Sequence, residues 1–292
     1  MRGVDGCIVL TPSLERGAWI DAIQAGARET GWTVEEWSGG PPPAERTGLL
    51  AVIVSDAVAA LALAPRNWAV ITTGTANAAG AAESQFQTPT GQGVWVASRL
   101  LAGACLAPGG ATRLTDENRG RSSNPLELLP GLRVWIPVPD VSEAGRDAAA
   151  LALSLYATGI PDIGTAADWP TGLFSFDRRN EGNPTAPAVQ DLTGPPRILV
   201  HGPYIALPPG VWRAKIGFAV DSAAARHQYR LEWGDLRAFA EHRFTPGKAG
   251  LYELTIDYSW TAATPAEIRL ILADGVIDGT LTFTGLTVIR IA

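Results

Sequence analysis

The hydrophobic pattern of this 292-residue chain changes in kind near residue 160. Before that point, a continuous apolar run at Leu49–Val54 (LLAVIV) lies among alanine-rich stretches with helical spacing. After it, apolar and polar residues alternate along short segments broken by Pro and Gly. Continuous apolar strands are typical of parallel sheets covered on both faces, whereas alternation is typical of antiparallel sheets with one solvated face. The change therefore predicts two domains of different fold class.

We expect an α/β domain at residues 1–159, a linker at 160–190 and an antiparallel β-sandwich of the jelly-roll type at 191–292. The linker prediction rests on four prolines, at 161, 170, 184 and 187, and on the absence of a sustained period. Hydrophobic residues make up 46% of the chain and charged residues 18%, a balance that excludes long disorder and supplies both domains with a core.

The order of apolar runs and helical stretches in the first domain predicts a five-stranded, doubly wound parallel sheet of the Rossmann or flavodoxin-like type. Its expected strands are 7–11, 32–37, 49–54, 68–72 and 133–138. Its expected helices are 14–30, 56–64, 94–106 and 142–156. Ser13, Asp56 and Ser142 are the predicted N-caps, and Gly31 is the predicted stop of the first helix.

In sheets of this kind, ligands bind beyond the carboxyl ends of the strands. The candidate ligand-binding residues on this rim are Ser13, Asp56, Thr73, Gly74, Thr75, Asn77 and Asp140. Within them, the segment TTGTAN (72–77) offers a glycine turn whose free amides would suit a phosphate or a sugar hydroxyl. The alternative is that Thr75 and Asn77 only cap a helix. The region contains no GxGxxG, GxxxxGK[ST] or GxSxG motif.

The most polar stretch of the chain, 113–124 (RLTDENRGRSSN), reads as a solvated surface loop, with an active-site loop as the alternative. The first half contains no histidine, so a Ser-His or Cys-His pair within it is excluded, and we assign no catalytic residue. The three histidines of the second half lack HxxxH or HxH spacing, so no metal site is predicted. The sequence identifies no cofactor.

The second domain shows eight alternating segments between residues 198 and 291, which predict the strands of a sandwich. Most of its aromatic residues share their phase with aliphatic residues and are expected in the core: Trp212, Phe218, Tyr229, Trp233, Tyr252, Tyr258 and Trp260. The high count of ten Trp is therefore explained mainly by core packing.

The segment LTGPPRILVHGPYIALPPGVWRAKIGF (192–218) carries a resemblance to a known class of domain. Through Gly202-Pro203-Tyr204, then Leu207-Pro208-Pro209-Gly210 and the following Trp212-Arg213, it resembles carbohydrate-binding-module-like jelly rolls of bacterial polysaccharide-biosynthesis proteins, often attached to glycosyltransferases. The resemblance covers about the last hundred residues. The first domain resembles Rossmann-like and glycosyltransferase-like halves in pattern only.

The resemblance implies glycan binding, for which the candidate residues are Tyr204, Arg213, Arg230 and Asp257. Arg213, Arg230 and Asp257 lie on the polar phase of their strands, opposite the aromatic residues. A polar groove on this face would bind sugar hydroxyls, and the alternative is an ordinary solvated face.

The leading functional hypothesis is an accessory protein of bacterial exopolysaccharide or capsule assembly, with the sandwich binding a glycan or a partner protein. The rival is a glycosyltransferase-like enzyme that binds a nucleotide-sugar on the rim, with Asp56, Asp116 or Asp140 as acid or base. A homo-oligomeric structural protein is the third alternative. The net charge of −6 argues against nucleic acid as a partner. The absence of a signal-like or membrane-spanning apolar stretch predicts a cytoplasmic protein.

Overall fold

The computed structural model describes residues 4–41, 43, 48–122, 124–138, 147–177 and 188–292. The chain divides into two compact units. The first comprises Met1–Arg146 and Leu153–Pro161, and the second comprises Asp147–Ala152 and Asp162–Ala292.

Five parallel strands form the central sheet of the first unit. They are β1 (Gly6–Leu10), β2 (Trp32–Glu36), β3 (Leu49–Val54), β4 (Asn67–Thr72) and β5 (Thr112–Thr115), in the order β2-β3-β1-β4-β5. The helices between and after them are α1 (Arg16–Thr30), α2 (Ala57–Ala60), α3 (Ala78–Phe86), α4 (Gly93–Ala104) and α5 (Asp116–Arg119). Gly31 ends α1 in the left-handed conformation, with φ 75°, as the sequence predicts.

Helices cover both faces of this sheet, because alternate strand residues point to opposite sides. On one face, Ile8 and Leu10 pack with Trp19 and Ile23 of α1. On the other face, the neighbouring residues Cys7 and Val9 pack in a second cluster with Ala57 and Ala60 of α2 and Ala104 of α4. The predicted parallel sheet with two covered faces is confirmed. Its strand order differs from the Rossmann order 3-2-1-4-5 and from the flavodoxin order 2-1-3-4-5.

The identity of the fifth strand was predicted wrongly. The strand expected at 133–138 is instead β7 (Leu132–Val134), which pairs antiparallel with β6 (Leu126–Leu129) in a separate two-stranded sheet. The edge position is taken by β5, which overlaps the stretch 113–124 that was expected to be a polar loop. An edge strand buries few side chains, and here Leu114 and Thr115 are the buried ones, so β5 lacks an apolar signal in the sequence.

A short helix, α6 (Ala148–Leu153), and a 3-10 turn at Ser154–Tyr156 occupy the described part of the helix predicted at 142–156. The predicted cap of that helix, Ser142, lies outside the described residues. Among the helices that the structure describes, none has the length and hydropathy that crossing a bilayer requires.

Two antiparallel sheets form the second unit. The strands are β8 (Ala166–Trp169), β9 (Ser175–Phe176), β10 (Val189–Asp191), β11 (Arg197–Leu207), β12 (Gly210–Val220), β13 (Tyr229–Gly234), β14 (Phe239–Phe244), β15 (Gly250–Trp260), β16 (Thr264–Leu272) and β17 (Thr280–Arg290). One sheet, called the β12 sheet below, has the order β10-β17-β12-β15, with β8 also pairing with β17. The other, called the β16 sheet, has the order β14-β13-β16-β11-β9.

Aromatic side chains join the inner faces of the two sheets, which confirms the predicted β-sandwich. Phe218 of β12 lies 5.5 Å from Phe244 of β14, measured between ring centroids. Trp233 of β13 packs edge to face with Trp260 of β15 at 5.0 Å. Of the seven aromatics expected in this core, five are buried and Tyr252 and Tyr258 are half-buried.

The segment 160–190, expected to be a linker, contributes three short strands to the sandwich. β8 and β10 both pair with β17, and β9 pairs with β11. Trp169, at the end of β8, is fully buried and lies 6.0 Å from Trp233. Strands of two to four residues are too short to show a period, which is why the sequence pattern did not reveal them.

Candidate functional site

The carboxyl ends of β1 and β4 bring four of the predicted rim residues together. These strands are neighbours, so Ser13, which follows β1, lies beside the turn that follows β4. A Cβ added to Gly74 would lie 3.3 Å from the Cβ of Ser13, and Thr73 and Thr75 flank this contact. Asn77 ends the same turn, while Asp140 lies outside the described residues.

The amides expected to be free in this turn are already bonded. Gly74 N donates to both oxygens of Asp116, at 3.0 and 2.9 Å, and Thr75 N donates to the same carboxylate at 3.4 Å. Gly74 adopts φ 69°, which turns consecutive amides toward one point. The expectation of open donors is therefore corrected, because a carboxylate of this chain fills the place of the anion. The capping alternative fails as well, since Asn77 makes no side-chain cap bond to α3.

The two caps predicted on this rim have different outcomes. Asp56 caps α2 as expected, because its Oδ1 accepts from the amides of Val58 and Ala59 at 3.0 and 3.2 Å. Ser13 does not cap α1, which begins at Arg16 without a side-chain cap. The Ser13 hydroxyl is buried and has no hydrogen-bond partner in the described part of the chain.

A buried ion pair, missed by the sequence analysis, lies under this rim. Glu15 Oε2 accepts from Arg119 Nη1 at 2.6 Å, and both side chains are less than a tenth exposed. Thr73 Oγ1 donates to the same Glu15 oxygen at 3.3 Å and accepts from the Trp19 indole at 3.3 Å. Arg119 also donates to Pro137 O and lies over the ring of Trp19. The stretch 113–124 therefore supplies a buried residue, Arg119, which the sequence could not reveal because β5 lacks an apolar signal.

A pocket of about 420 Å³ opens at the carboxyl ends of β2 and β3. Asp56, Ser55, Arg16, Glu36, Trp37 and Arg99 are among its lining residues. Arg16 is held by Glu36 at 2.8 Å and by Leu10 O at 3.4 Å. Ser55 Oγ accepts from the amide of Gln85 at 3.0 Å. Arg99 forms no hydrogen bond or ion pair with any residue that the structure describes.

The four candidate glycan residues lie on two different sheets of the second unit. Arg213 and Asp257 are opposite one another on β12 and β15, whereas Tyr204 and Arg230 lie on β11 and β13 of the β16 sheet. Arg213 and Asp257 form a bidentate pair at 2.7 and 2.8 Å. Hydrogen bonding from Arg213 lowers the pKa of the Asp257 carboxyl below its usual value, against partial burial, which raises it. A single site that contains all four residues is therefore excluded.

On the β16 sheet, Tyr204 and Arg230 are linked through a chain of charged residues. Tyr204 hydroxyl donates to Glu267 Oε1 at 3.1 Å, and Arg269 Nη2 donates to Glu267 Oε2 at 2.7 Å. Arg269 and Arg230 both contact Glu232, at 3.4 and 3.0 Å. Burial, followed by the Glu267 carboxylate, raises the pKa of the Tyr204 phenol to about 12. This network therefore pairs its charges internally.

On the outer face of the β12 sheet, a groove of about 220 Å³ lies between β8, β17, β12 and β15. Gly217 and Gly285 are directly opposite in the β12–β17 register and lower the floor. A Cβ at Gly217 would lie 2.3 Å from Thr284 Oγ1, so the Thr284 hydroxyl packs against this glycine and a larger residue would displace it. The polar walls are formed by Lys215, Glu253, Asp168, Thr284 and Thr287.

The side chains of this groove include both hydrogen-bond donors and hydrogen-bond acceptors. Thr287 Oγ1 donates to Asp168 Oδ1 at 2.7 Å, which fixes one wall, and the Lys215 ammonium supplies donors beside it. Two carboxylates and one ammonium give the groove an excess of acceptors. Lys215 and Glu253 share the polar phase of β12 and β15 with Arg213 and Asp257, whereas Asp168 comes from the segment expected to be a linker.

No protein-family model matches the chain, and no curated protein sequence matches it. Among solved structures, TmCBM61 in complex with β-1,4-galactotriose aligns at 10% identity and a TM-score of 0.29, over 46% of this chain and 93% of that one. A family 16 carbohydrate-binding module aligns at 10% identity and a TM-score of 0.26, over 34% of this chain and 74% of the other. The C-terminal CBM6 of LamC, a laminarinase from Zobellia galactanivorans, aligns at 13% identity and a TM-score of 0.24, over 34% and 76%. Such scores identify neither a family nor a ligand for this chain.

Proposed function

We propose that this chain is an accessory protein of bacterial polysaccharide assembly whose β-sandwich unit binds a glycan in the groove on the β12 sheet. The observation that carries the proposal is the glycine-floored groove itself, in which Lys215, Asp168 and Glu253 converge on one small space. Convergent polar groups around a concave surface are the usual features of a small-molecule site.

The size of the groove fits one sugar ring of a longer chain. Its volume of about 220 Å³ is below the roughly 300–1,000 Å³ typical of pockets that enclose a whole ligand. A site of this size on an open sheet face contacts one ring while the flanking rings lie along the surface. Gly285, which has no side chain, allows that ring to approach the backbone closely.

The charges of the groove favour neutral, hydroxyl-rich glycans over acidic ones. Asp168 and Glu253 are acceptors for sugar hydroxyls, and Lys215 is a donor to a hydroxyl or ring oxygen. Two carboxylates against one ammonium would repel a uronic acid or a sulfated sugar. We therefore expect neutral oligosaccharides to bind and their acidic counterparts to bind more weakly.

A glycan array followed by calorimetric titration with neutral and acidic exopolysaccharide fragments tests the proposal. Lys215→Ala is expected to weaken binding about tenfold, which corresponds to about 1.4 kcal/mol. Lys248→Ala is the matched control, because Lys248 is the other lysine of the chain and does not line the groove.

The same titration separates the two sheets. Arg243→Ala changes an exposed arginine of the β16 sheet, paired with Glu241 at 2.6 Å, and is expected to leave glycan binding unchanged. Loss of binding in Arg243→Ala but not in Lys215→Ala would assign the glycan to the opposite face. No binding of any fragment at millimolar concentration would remove the glycan function and leave a partner protein as the ligand of the sandwich.

A further inference from the structure

We infer that the pocket at the carboxyl ends of β2 and β3 is a binding site for a nucleotide. The position of the pocket supplies the first argument. Ligands of open parallel sheets bind beyond the carboxyl ends of the strands. The chain leaves β1 and its neighbour β3 toward opposite faces of the sheet, because α1 packs on one face and α2 on the other. Arg16, which follows β1, and Ser55 and Asp56, which follow β3, line the pocket.

Two arginines provide the site for an anionic group. Arg16 is oriented by Glu36 and by Leu10 O, whereas Arg99 of α4 has no partner among the residues described. An exposed guanidinium that lines a pocket and pairs with none of the described residues is well suited to bind phosphate with two parallel hydrogen bonds. The pocket therefore offers a cation that no described residue neutralises.

Aromatic and aliphatic side chains provide the site for a planar ring. Trp37 and Phe86 line the pocket, and Phe86 is 40% exposed although it is a large apolar residue. Val54 and Leu100 are buried residues of the same pocket. Aromatic side chains bind a flat ring by stacking and edge contacts, which suits a nucleobase better than it suits inorganic phosphate.

Carboxylates provide the site for ribose hydroxyls. Glu36 Oε2 is bonded to Arg16, while its Oε1 forms no hydrogen bond with the described residues. Asp56 Oδ1 accepts from two backbone amides of α2, and its Oδ2 forms no hydrogen bond with the described residues. The volume of about 420 Å³ lies within the range of roughly 300–1,000 Å³ that small-molecule sites occupy. Base, ribose and phosphate each have a matching group in one pocket.

Titration of the full chain, labelled with 15N at its tryptophans, tests this assignment directly. The indole signal of Trp37 is assigned with Trp37→Phe, and the ligands are AMP, ADP, UMP, UDP, UDP-glucose, the free nucleosides and inorganic phosphate. A shift of the Trp37 signal that saturates at millimolar nucleotide or below is expected. Arg99→Ala is expected to weaken nucleotide binding about tenfold or more, because a hydrogen bond to a charged group is lost.

Two variants control for charge and for location. Arg28→Ala removes an exposed arginine of α1 that does not line the pocket, and it should leave the titration unchanged. Thr75→Ala alters the turn after β4 and should also have no effect. The spectrum of the remaining indoles verifies that each variant is folded.

The outcomes that overturn the inference are distinct from failure of glycan binding, which depends on the other unit. No shift of the Trp37 signal with any nucleotide at millimolar concentration overturns it. Inorganic phosphate that produces the same shift at the same concentration as the nucleotides overturns the nucleotide and leaves a plain anion site. Binding that Thr75→Ala abolishes and Arg99→Ala preserves would move the ligand to the turn after β4.

Discussion

Gly74 donates its backbone N–H to both carboxylate oxygens of Asp116, so a side chain of the protein occupies the anion-binding turn of the parallel sheet. The contact joins the turn after β4 to the first residue of α5, which follows the neighbouring strand β5. It orders two adjacent turns of the rim without any ligand. A phosphate at this turn would have to displace the carboxylate.

Replacement of Asp116 by alanine is expected to destabilise the first unit by about 1 kcal/mol, since charge-assisted bonds to two amides are lost at an exposed position. Asp116→Asn retains an acceptor and should lose less. Urea unfolding measures both. Sulfate should stabilise Asp116→Ala more than the unchanged protein, because the vacated amides can donate hydrogen bonds to the anion. Equal stability of Asp116→Ala and the unchanged protein would contradict this account.

The buried pair of Glu15 and Arg119 should respond differently from a surface ion pair. Glu15→Leu leaves the Arg119 charge buried, with Pro137 O as its hydrogen-bond acceptor among the described residues, and we expect a loss of about 3 kcal/mol or more. The double variant Glu15→Leu/Arg119→Leu should lose less than the sum of the single variants, because it leaves no unpaired charge. Denaturant unfolding of the four proteins checks the cycle, and additive losses would mean that the pair is not coupled.

The parts of the fold that the sequence predicted are those with a repeating signal. Leu49–Val54 is a continuous apolar strand and became β3, in the interior of the sheet. The alternation from 211 to 220 became β12 with strictly alternating burial. The failures are short or at an edge: β5 buries two of its four residues, and β9 has two residues in all. Their position is fixed by pairing with a neighbour, which a local pattern does not record.

The candidate sites divide in the same way. Placing Ser13 and Thr73 near one another required only that β1 and β4 end at the same edge, and the structure agrees. That Asp116 would fill the turn required knowledge of β5, which the pattern did not reveal. Tyr204 and Arg213 were grouped because both belong to the segment 192–218 that carries the resemblance, yet β11 and β12 belong to different sheets. The phase of a strand tells which residues point away from the core, but two such residues share a surface only when their strands belong to the same sheet.

Trp169 tests whether the sandwich begins before residue 191, as we propose from β8. Its ring is fully buried and packs edge to face with Trp233, so Trp169→Ala should destabilise the second unit by about 3 kcal/mol or more. Trp135→Ala is the control, because that side chain is 59% exposed. Calorimetry of the unchanged protein and both variants gives the comparison. Equal effects of the two substitutions would place Trp169 outside the cooperative core.

Replacement of the two glycines of the groove by alanine should lower the stability of the protein by different amounts. Gly217→Ala places a methyl group against Thr284 Oγ1, which a rotation of that side chain relieves, so we expect a stability loss of about 1 kcal/mol. Gly285 has φ 120°, a conformation that other residues adopt only under strain, so Gly285→Ala should cost about 1–3 kcal/mol. Gly217→Ala should nevertheless weaken glycan binding strongly, because its methyl group displaces Thr284, which lines the groove. Thermal unfolding and glycan titration of each variant measure the two effects separately, and retained binding in Gly217→Ala would remove the groove as the site.

The phenol of Tyr204 should ionise late in an alkaline titration. Its pKa is raised to about 12 by burial and by the carboxylate of Glu267, which it contacts at 3.1 Å. A group whose folded pKa exceeds the unfolded value of about 10 contributes stability that is complete below pH 10 and is lost as the pH rises through the folded pKa. The difference in tyrosinate absorbance between the unchanged protein and Tyr204→Phe isolates this residue from the other four tyrosines. That difference should be nearly absent near pH 10 and should develop toward pH 12. Glu267→Gln, which removes the charge and keeps an acceptor, should shift this difference to lower pH. Half-ionisation of Tyr204 at its ordinary pKa would show that the phenol is neither buried nor in contact with Glu267 in solution.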